Sequence, residues 1–321
     1  MTPGRACPLH YRYSPSVCKR DAEVRAETIY VIGGLYGNLP ALRAIIALAA
    51  MEPVAPTLIF NGDFNWFNVD AAAFKTINET VLQHVALRGN VETELSGNLD
   101  TDDVGCGCAY PDYVDDADVE RSNEILRRLR NTAMRSPQLT ARLAALPMHL
   151  VAQVGDARIG IVHGDAESLA GWRFAHDSLH DPANVAWLHT ICTDADLLGF
   201  ASSHTCLPTL RRFRDDARTH LVINNGAAGM PNFAHTHYGL ITRLSIYSAR
   251  EGLAQYGTQQ GTVFVDALPV HYDQAQFFDD FAANWLPDSP AFVSYARRIN
   301  EGPAYFAPHA LGLTRAPSVC A

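Results

Sequence analysis

Six short and nearly continuous apolar runs recur along this chain, and each ends in glycine, aspartate, asparagine or histidine. The runs cover residues 28–34, 57–63, 84–90, 157–165, 197–204 and 221–229. Such runs are typical of strands that are buried on both faces of a sheet. Helical patterns over 39–52 and 69–83 separate the early runs. This alternation predicts a layered α/β fold with functional groups at the carboxyl ends of the strands.

The rest of the chain divides around one long loop. Residues 95–117 are acidic, glycine-rich and aperiodic, which predicts a functional or mobile loop. Helices are predicted at 118–134, 136–146, 276–286 and 289–299, and late strands at 238–248 and 261–270. We place one domain at 28–303, with an insertion at about 95–147, between an N-terminal arm (1–27) and a C-terminal tail (304–321).

Composition narrows the class of partner. The 321 residues carry a formal net charge of −9, which argues against nucleic acid or a membrane surface as a partner. The seven cysteines are irregularly spaced, and neither a secretory leader nor an apolar run of about 18 residues is visible. We therefore expect a soluble cytoplasmic protein, and its oligomeric state stays open.

Four strand-end residues offer metal ligands. Asp63 closes "FNGD" and Asn90 closes "RGN", while His163 lies in "VHG" and His204 in "SSHT". Each residue alone has an ordinary structural explanation, such as a helix cap, a turn or a hydrogen-bonded core histidine. Their joint occurrence at strand ends favours a site, because iron, manganese, zinc and cobalt accept this mixture of nitrogen and oxygen ligands.

The order of these blocks resembles the calcineurin-like metallophosphoesterase superfamily, and most closely its bacterial branch of small phosphoesterases. The blocks read "VIGGLYGNLPAL", "FNGDF", "LRGNVE", "IVHGD", "SSHTCLP" and "INNGAAGMPN". The superfamily has D-x-H-G-N, G-D, G-N-H-D/E, a strand-end histidine, G-H-T-H and N-P-G-S-x-G-x-P in the same order. The resemblance covers roughly residues 28–303. It implies a four-layer α/β/β/α sandwich and a metal-dependent hydrolase, a phosphatase acting on phosphoric esters.

In that superfamily two metals bind side by side, and the histidine of the G-N-H block assists the leaving group. By position, the resemblance implies that Asp63 is the ligand that bridges the two metals. It also implies that the remaining ligands of the second metal are present, as Asn90, His163 and His204. The first site is altered at three ligand positions and at the leaving-group histidine, which are occupied by Gly34, Tyr36, Cys206 and Val91. We therefore expect one Fe, Mn, Zn or Co ion per chain.

Three interpretations of the altered site stay open. The first is a mononuclear phosphoesterase, in which one metal activates water against a small phosphorylated substrate. The second is a site rebuilt with cysteine ligands, taken from Cys206 and from Cys106 and Cys108 of the "GCGC" loop. The third is a non-catalytic module that binds a phosphorylated ligand. We favour an enzyme, because a decayed one has no reason to keep all four ligands of one metal.

A mononuclear enzyme needs substitutes for the missing groups. Positive charge for the phosphate could come from Arg43 or Arg88, or from backbone N–H groups around Gly34, Gly37 and Asn38 at the start of a helix. The Tyr36 hydroxyl is a further candidate for this role beside the phosphate. Glu92 and the His235–His237 pair are candidates for the missing acid. The segment "CPLHYRY" (7–13) is either a lid over the site or an additional ordered arm.

Overall fold

Two six-stranded sheets pack face to face, with helices on both outer faces. The structure is a computed structural model that describes residues 3–97, 104–214 and 218–314. Residues 98–103 of the predicted long loop, and 315–321 of the predicted tail, lie outside the described residues. The predicted four-layer α/β/β/α sandwich is confirmed.

The first sheet is mixed, with three parallel strands at its centre. Its spatial order is β1 (Val24–Arg25), β5 (His149–Val154), β6 (Ala157–Val162), β7 (Gly199–Ser202), β9 (Thr219–Asn224) and β8 (Thr209–Arg214). Strands β6, β7 and β9 run parallel, whereas β5 and β8 pair antiparallel with their neighbours. Strands β1, β5 and β8 were not predicted.

The second sheet carries the first three predicted strands side by side. Its order is β11 (Tyr256–Gln260), β12 (Val263–His271), β10 (Tyr238–Ser245), β2 (Thr28–Ile32), β3 (Thr57–Asn61) and β4 (Val85–Leu87). Strands β2, β3 and β4 are parallel. Isoleucines from both sheets, such as Ile29 and Ile161, are fully buried between them. This apolar layer aligns the carboxyl ends of the parallel strands at one edge of the sandwich.

Most helices cover the second sheet. They are α1 (Leu39–Ala50), α2 (Ala71–Val81), α3 (Asn90–Ser96), α4 (Asp116–Ala133), α5 (Pro137–Ala144), α7 (Gln274–Asn284) and α8 (Pro290–Glu301). On the other side α6 (Pro182–Ala195) covers the first sheet, and α9 (Ala307–Ala310) is one short turn near the C-terminus. The side chain of Asn38 begins α1 by accepting a 2.8 Å hydrogen bond from the N–H of Ala41.

The N-terminal arm and the C-terminal segment both pack on the sandwich. Gly4 exchanges backbone hydrogen bonds of 2.9 Å with Val104 and Tyr110, so the arm lies along the glycine-rich loop. At the other end Tyr305 is fully buried and donates to the carbonyl of Pro208 at 2.9 Å. The domain borders proposed from the sequence stay a prediction. In the described part of the chain, no helix is long and apolar enough to span a bilayer.

Candidate metal centre and its cleft

The residues of the candidate metal centre follow the carboxyl ends of parallel strands in both sheets. Asp63 lies two residues after β3, and Asn90 begins α3 after β4. From the first sheet, His163 directly follows β6 and His204 lies two residues after β7. Gly62 has a φ of +78°, and a Cβ there would lie 2.6 Å from Nδ1 of His163. Only a glycine lets the turn after β3 approach the histidine this closely.

Four donor atoms from these strand ends converge. Nε2 of His163 lies 3.2 Å from Oδ2 of Asp63 and 3.2 Å from Oδ1 of Asn90. Nδ1 of His204 lies 3.3 Å from the same nitrogen. All four side chains are buried. Asp63, His163 and His204 form a group of donor atoms that lie within 4.8 Å of one another. Two oxygens and two nitrogens at this spacing suit one divalent transition metal.

Bonds to backbone carbonyls orient three of the four donors. The Nδ1 proton of His163 goes to the carbonyl of Asn61 at 2.8 Å, which leaves Nε2 with a lone pair. The Nε2 proton of His204 goes to the carbonyl of Cys108 at 3.0 Å, which leaves Nδ1 with a lone pair. The amide nitrogen of Asn90 donates to the carbonyl of Cys106 at 2.9 Å, so Oδ1 faces the histidines. Such outer bonds fix the tautomers of metal-binding histidines.

These facing atoms are therefore all acceptors, and they need a cation or a proton between them. Burial lowers the pKa of His163, but the charge and hydrogen bond of Asp63, the carbonyl of Asn61 and the charge of Glu92 together raise it above its ordinary value. Burial and the charge of His163 lower the pKa of His204 to about 4, which keeps this ring neutral. Neutral imidazole and carboxylate are the states in which these side chains bind metal. The residues therefore fit a resident divalent ion.

A tyrosine and a cysteine meet at two of the positions where the resemblance predicts ligands of a first metal. The hydroxyl of Tyr36 lies 3.0 Å from Sγ of Cys206. A Cβ on Gly34 would lie 2.9 Å from the Tyr36 ring, so the loss of the carboxylate makes room for the ring. Burial raises the pKa of both the phenol and the thiol. We call these two residues the Tyr36–Cys206 pair, and they close this half of the site with neutral groups.

The three cysteines proposed as ligands are not part of the converging donor set. Cys106 and Cys108 are buried, and burial raises the pKa of the Cys108 thiol well above its ordinary value. The loop that carries them contributes to the site through the two carbonyl groups that orient Asn90 and His204. The site rebuilt with cysteine ligands is therefore not favoured.

Arg298, at the end of α8, lies behind the Tyr36–Cys206 pair and is a residue that sequence reasoning missed. Its side chain is 4% exposed, and Nη2 donates to the carbonyl of Cys206 at 2.6 Å. Its Nε and Nη1 are buried and have no hydrogen-bond partner among the described residues. Its positive charge opposes the effect of burial on the pKa of the Cys206 thiol. A signal was present, because Arg298 falls on the buried face of α8 with Ala291 and Tyr295.

Glu92 lies behind Asp63 and holds the turn in place. Its carboxylate accepts hydrogen bonds from the backbone N–H groups of Asp63 at 2.7 Å, Gly89 at 3.1 Å and Phe64 at 3.1 Å. Burial, and then the charge of Asp63, raise the pKa of Glu92 to about 7. Glu92 is not among the residues that line the cleft. These bonds give it a positioning role in the turn after β3.

The expected leaving-group histidine is replaced by a backbone contact. The N–H of Val91 donates to Oδ1 of Asp63 at 3.1 Å, so this position helps to orient the carboxylate. His237, a candidate for the missing acid, is exposed and bonds through Nε2 to the carbonyl of Asn300 at 2.9 Å. His237 does not line the cleft.

The backbone groups expected to hold a phosphate already have partners. The N–H groups of Gly34, Tyr36 and Gly37 donate to the carbonyls of residues 62, 63 and 64 at 2.9–3.1 Å. The amide of Asn38 caps α1 and donates to the carbonyl of Gly229 at 2.9 Å. These bonds fasten the turn after β2 to the turn after β3, so these N–H groups are not free to bind an anion.

The two arginines proposed for the phosphate lie elsewhere. Arg43 is exposed on α1. Arg88 bonds through Nη1 to the carbonyl of Ala144 at 3.1 Å. Neither residue lines the cleft. Of the arginines considered, Arg298 therefore lies nearest the altered half of the site by its contacts.

A cleft opens from the metal centre, and aromatic side chains form much of its wall. They are Tyr36, Trp66, Tyr110, Tyr113, Trp172 and Tyr295. The indole N–H of Trp172 donates to the carbonyl of Cys108 at 3.0 Å, and its ring meets the ring of His204 edge-on at 5.4 Å. Trp172 was also missed, since no motif marks it. It connects the wall of the cleft to a metal-ligand histidine.

Comparisons with known proteins identify the fold. A metallophosphoesterase from Sphaerobacter thermophilus matches 86% of this chain and 100% of its own, with 16% identity and a TM-score of 0.55. A hypothetical protein from Pyrococcus horikoshii OT3 matches 87% of this chain and 99% of its own, with 15% identity and a TM-score of 0.58. No family model and no curated protein sequence matches the chain. The chain therefore has the metallophosphoesterase fold, as its motifs predict.

Proposed function

We propose that this protein is a phosphoesterase that works with one divalent metal ion. The observation that carries the proposal is the convergence of Asp63, Asn90, His163 and His204 with their lone pairs turned inward. The likeness to a metallophosphoesterase in fold supports the same class. Retention of this arrangement favours catalysis over passive binding of a phosphorylated ligand, because a passive site needs no such orientation.

A bound divalent ion supplies two things at such a site, a more acidic water and a polarised phosphoryl oxygen. The chain's own residues orient and enclose the site. The N–H of Val91 holds Oδ1 of Asp63, which leaves Oδ2 towards the metal position. Glu92 fixes the backbone of the same turn. All four donors are buried, and Asp63, Asn90 and His204 also line the cleft, so water and substrate reach the centre from that side.

Arg298 is our candidate for the positive charge that the first metal supplies in two-metal enzymes. Its guanidinium lies against the carbonyl of Cys206, at one of the altered ligand positions, and acts from behind the cleft wall because Arg298 does not itself line the cleft. No carboxylate within ion-pair distance of it is found among the described residues. A buried cation without an ionic partner is costly, so an anionic substrate would compensate this charge. Charge of this kind stabilises a phosphoryl group in the transition state.

The proposed substrate is a small phosphorylated molecule. None of the described residues that line the cleft is a lysine or an arginine, which argues against a polynucleotide backbone as the ligand. Cytoplasmic location stays a prediction from the sequence.

The proposal is tested with purified protein and Mn²⁺, assayed on p-nitrophenyl phosphate and bis-p-nitrophenyl phosphate. We expect hydrolysis of at least one ester, lost in His163→Ala and kept in His271→Ala, which alters an exposed histidine at the end of β12. If the metal-loaded protein binds phosphate but hydrolyses neither ester, it is a binding module and the proposal is wrong.

A further inference from the structure

The charge of the cleft gives information about the part of the substrate that does not react. Three carboxylates line it, those of Asp63, Asp118 and Asp177, and no lysine or arginine among the described residues does. Asp63 belongs to the metal centre. Away from the metal centre, the charged residues of the cleft are therefore the two carboxylates of Asp118 and Asp177. They would repel a second anionic group on a substrate.

The two outer carboxylates differ in how far they are neutralised. Asp118 shares one oxygen with Arg121 and with the hydroxyl of Ser294. Asp177 caps a short turn by accepting from the N–H of Ser178 at 2.8 Å. It has no lysine or arginine within ion-pair distance in the described part of the chain. Asp177 is thus a negative charge on the cleft wall that no ion pair with a described lysine or arginine neutralises, and its neighbour His176 has a pKa that burial lowers.

Aromatic rings line the same cleft as these carboxylates. Trp66, Tyr110, Trp172 and Tyr295 line the same cleft as Asp177. Tyr110 and Trp172 are neighbours, with ring centres 6.1 Å apart. Aromatic faces attract alkylammonium groups, and a nearby carboxylate adds to that attraction. An uncharged apolar group would use the rings but would gain nothing from Asp177.

We propose that the cleft binds a phosphate ester whose alcohol carries a positively charged amine. The phosphate lies at the metal centre, and the ammonium group lies among the aromatic rings near Asp177. This inference rests on the proposed function for the position of the phosphate. The proposal that the alcohol part of the ester is positively charged rests only on the residues of the cleft wall.

The experiment compares three ligands on the Mn²⁺-loaded protein. They are phosphocholine, its uncharged carbon isostere 3,3-dimethylbutyl phosphate, and 3-phosphoglycerate, which carries an extra negative charge. Dissociation constants come from tryptophan fluorescence, because Trp66 and Trp172 line the cleft, and release of inorganic phosphate is measured in parallel. We expect phosphocholine to bind about tenfold more tightly than the isostere, with 3-phosphoglycerate weakest.

Asp177→Asn should reduce the preference for phosphocholine over the isostere to about twofold, since only the rings then favour the cation. Asp112→Asn is the matched control, because Asp112 is exposed, does not line the cleft and removes the same charge. Equal or tighter binding of the isostere, or an unchanged preference in Asp177→Asn, overturns the inference. Absence of phosphate release with the preference intact overturns the proposed function and leaves the ligand class supported.

Discussion

His204 donates its Nε2 proton to the backbone carbonyl of Cys108 at 3.0 Å. The glycine-rich loop therefore selects the tautomer of a candidate metal ligand without using a cysteine side chain. Trp172 donates to the same oxygen at 3.0 Å, so the loop, the ligand and the cleft wall share one acceptor. Hydrogen bonds to the ring nitrogen that does not bind the metal tune the metal affinity of a histidine.

Trp172→Phe tests this relationship, because it keeps an aromatic ring and removes the indole N–H. The carbonyl of Cys108 then loses one of its two donors, and His204 is held less firmly. We expect metal affinity to fall about tenfold, measured by competition with a chelator. Trp187→Phe is the control, since its indole N–H is buried without a hydrogen-bond partner in the described part of the chain. Equal affinities in the two variants would contradict the role given to the Cys108 carbonyl.

Metal affinity should depend on pH through His163. Burial lowers the pKa of this histidine, but Asp63, the carbonyl of Asn61 and Glu92 together raise it above its ordinary value of 6.5. In the metal-free protein its proton therefore stabilises the fold below that value, and the stabilisation is lost as pH rises through the raised pKa. A metal ion must displace the same proton, so affinity should fall about tenfold for each unit below the raised pKa. Calorimetric titration with Mn²⁺ between about pH 6 and about pH 8 measures the metal affinity. An affinity that does not change with pH would exclude His163 as a ligand.

Gly107→Ala should loosen the loop that orients the site. Gly107 has a φ of +66°, and a Cβ there would lie 2.2 Å from the hydroxyl of Tyr11. That hydroxyl is fully buried and donates to Glu94 at 2.7 Å, so it has little freedom to move. Strain in this backbone region costs about 1 kcal/mol on its own, and the clash adds to it.

Gly252→Ala is the matched control for that variant. Gly252 has a φ of +76°, but a Cβ there would meet no atom within 4 Å. Thermal unfolding should show a greater loss of stability in Gly107→Ala than in Gly252→Ala. Similar losses in the two variants would mean that the N-terminal arm does not brace the loop through Tyr11.

Strand-end residues were predictable because the apolar runs that precede them are long and buried. Asp63 and His163 are examples, since each follows a strand whose last four residues are buried. Strand β8 was missed because "TLRRFR" carries three arginines on an edge strand, where a polar face is tolerated. The bonds made by backbone carbonyls, such as that of Cys108 to His204, leave no mark in a sequence, because any residue type supplies the same carbonyl.

The hydrogen-bond partners of the N–H groups expected to bind phosphate could not be predicted for a related reason. Whether an N–H group near Gly37 is free depends on which carbonyl lies opposite, and that is set by the packing of two turns distant in sequence. Arg298 could have been found, since a charged residue on the apolar face of a helix is uncommon. Its neighbours Tyr36 and Cys206 could be named from the motif, but their contact of 3.0 Å required the fold.

Arg298→Gln tests whether this guanidinium serves the substrate. The buried charge has no ionic partner among the described residues and lies behind the cleft wall. We expect affinity for inorganic phosphate to fall about tenfold, because the attraction of a nearby buried positive charge is lost. Arg297→Gln is the control, since the Arg297 side chain is 86% exposed and pairs with Glu301. Arg298→Lys should recover part of the affinity, which a purely structural role would not explain. Unchanged phosphate affinity in Arg298→Gln would remove Arg298 from the site.

The central claim is a single metal held by Asp63, Asn90, His163 and His204, and metal content per chain tests it most directly. Protein purified without chelator is analysed by inductively coupled plasma mass spectrometry, beside Asp63→Asn, His163→Ala and Cys206→Ser. The account predicts about one divalent ion per chain, lost in the first two variants and retained in Cys206→Ser. Two ions per chain, or loss of metal in Cys206→Ser, would contradict it.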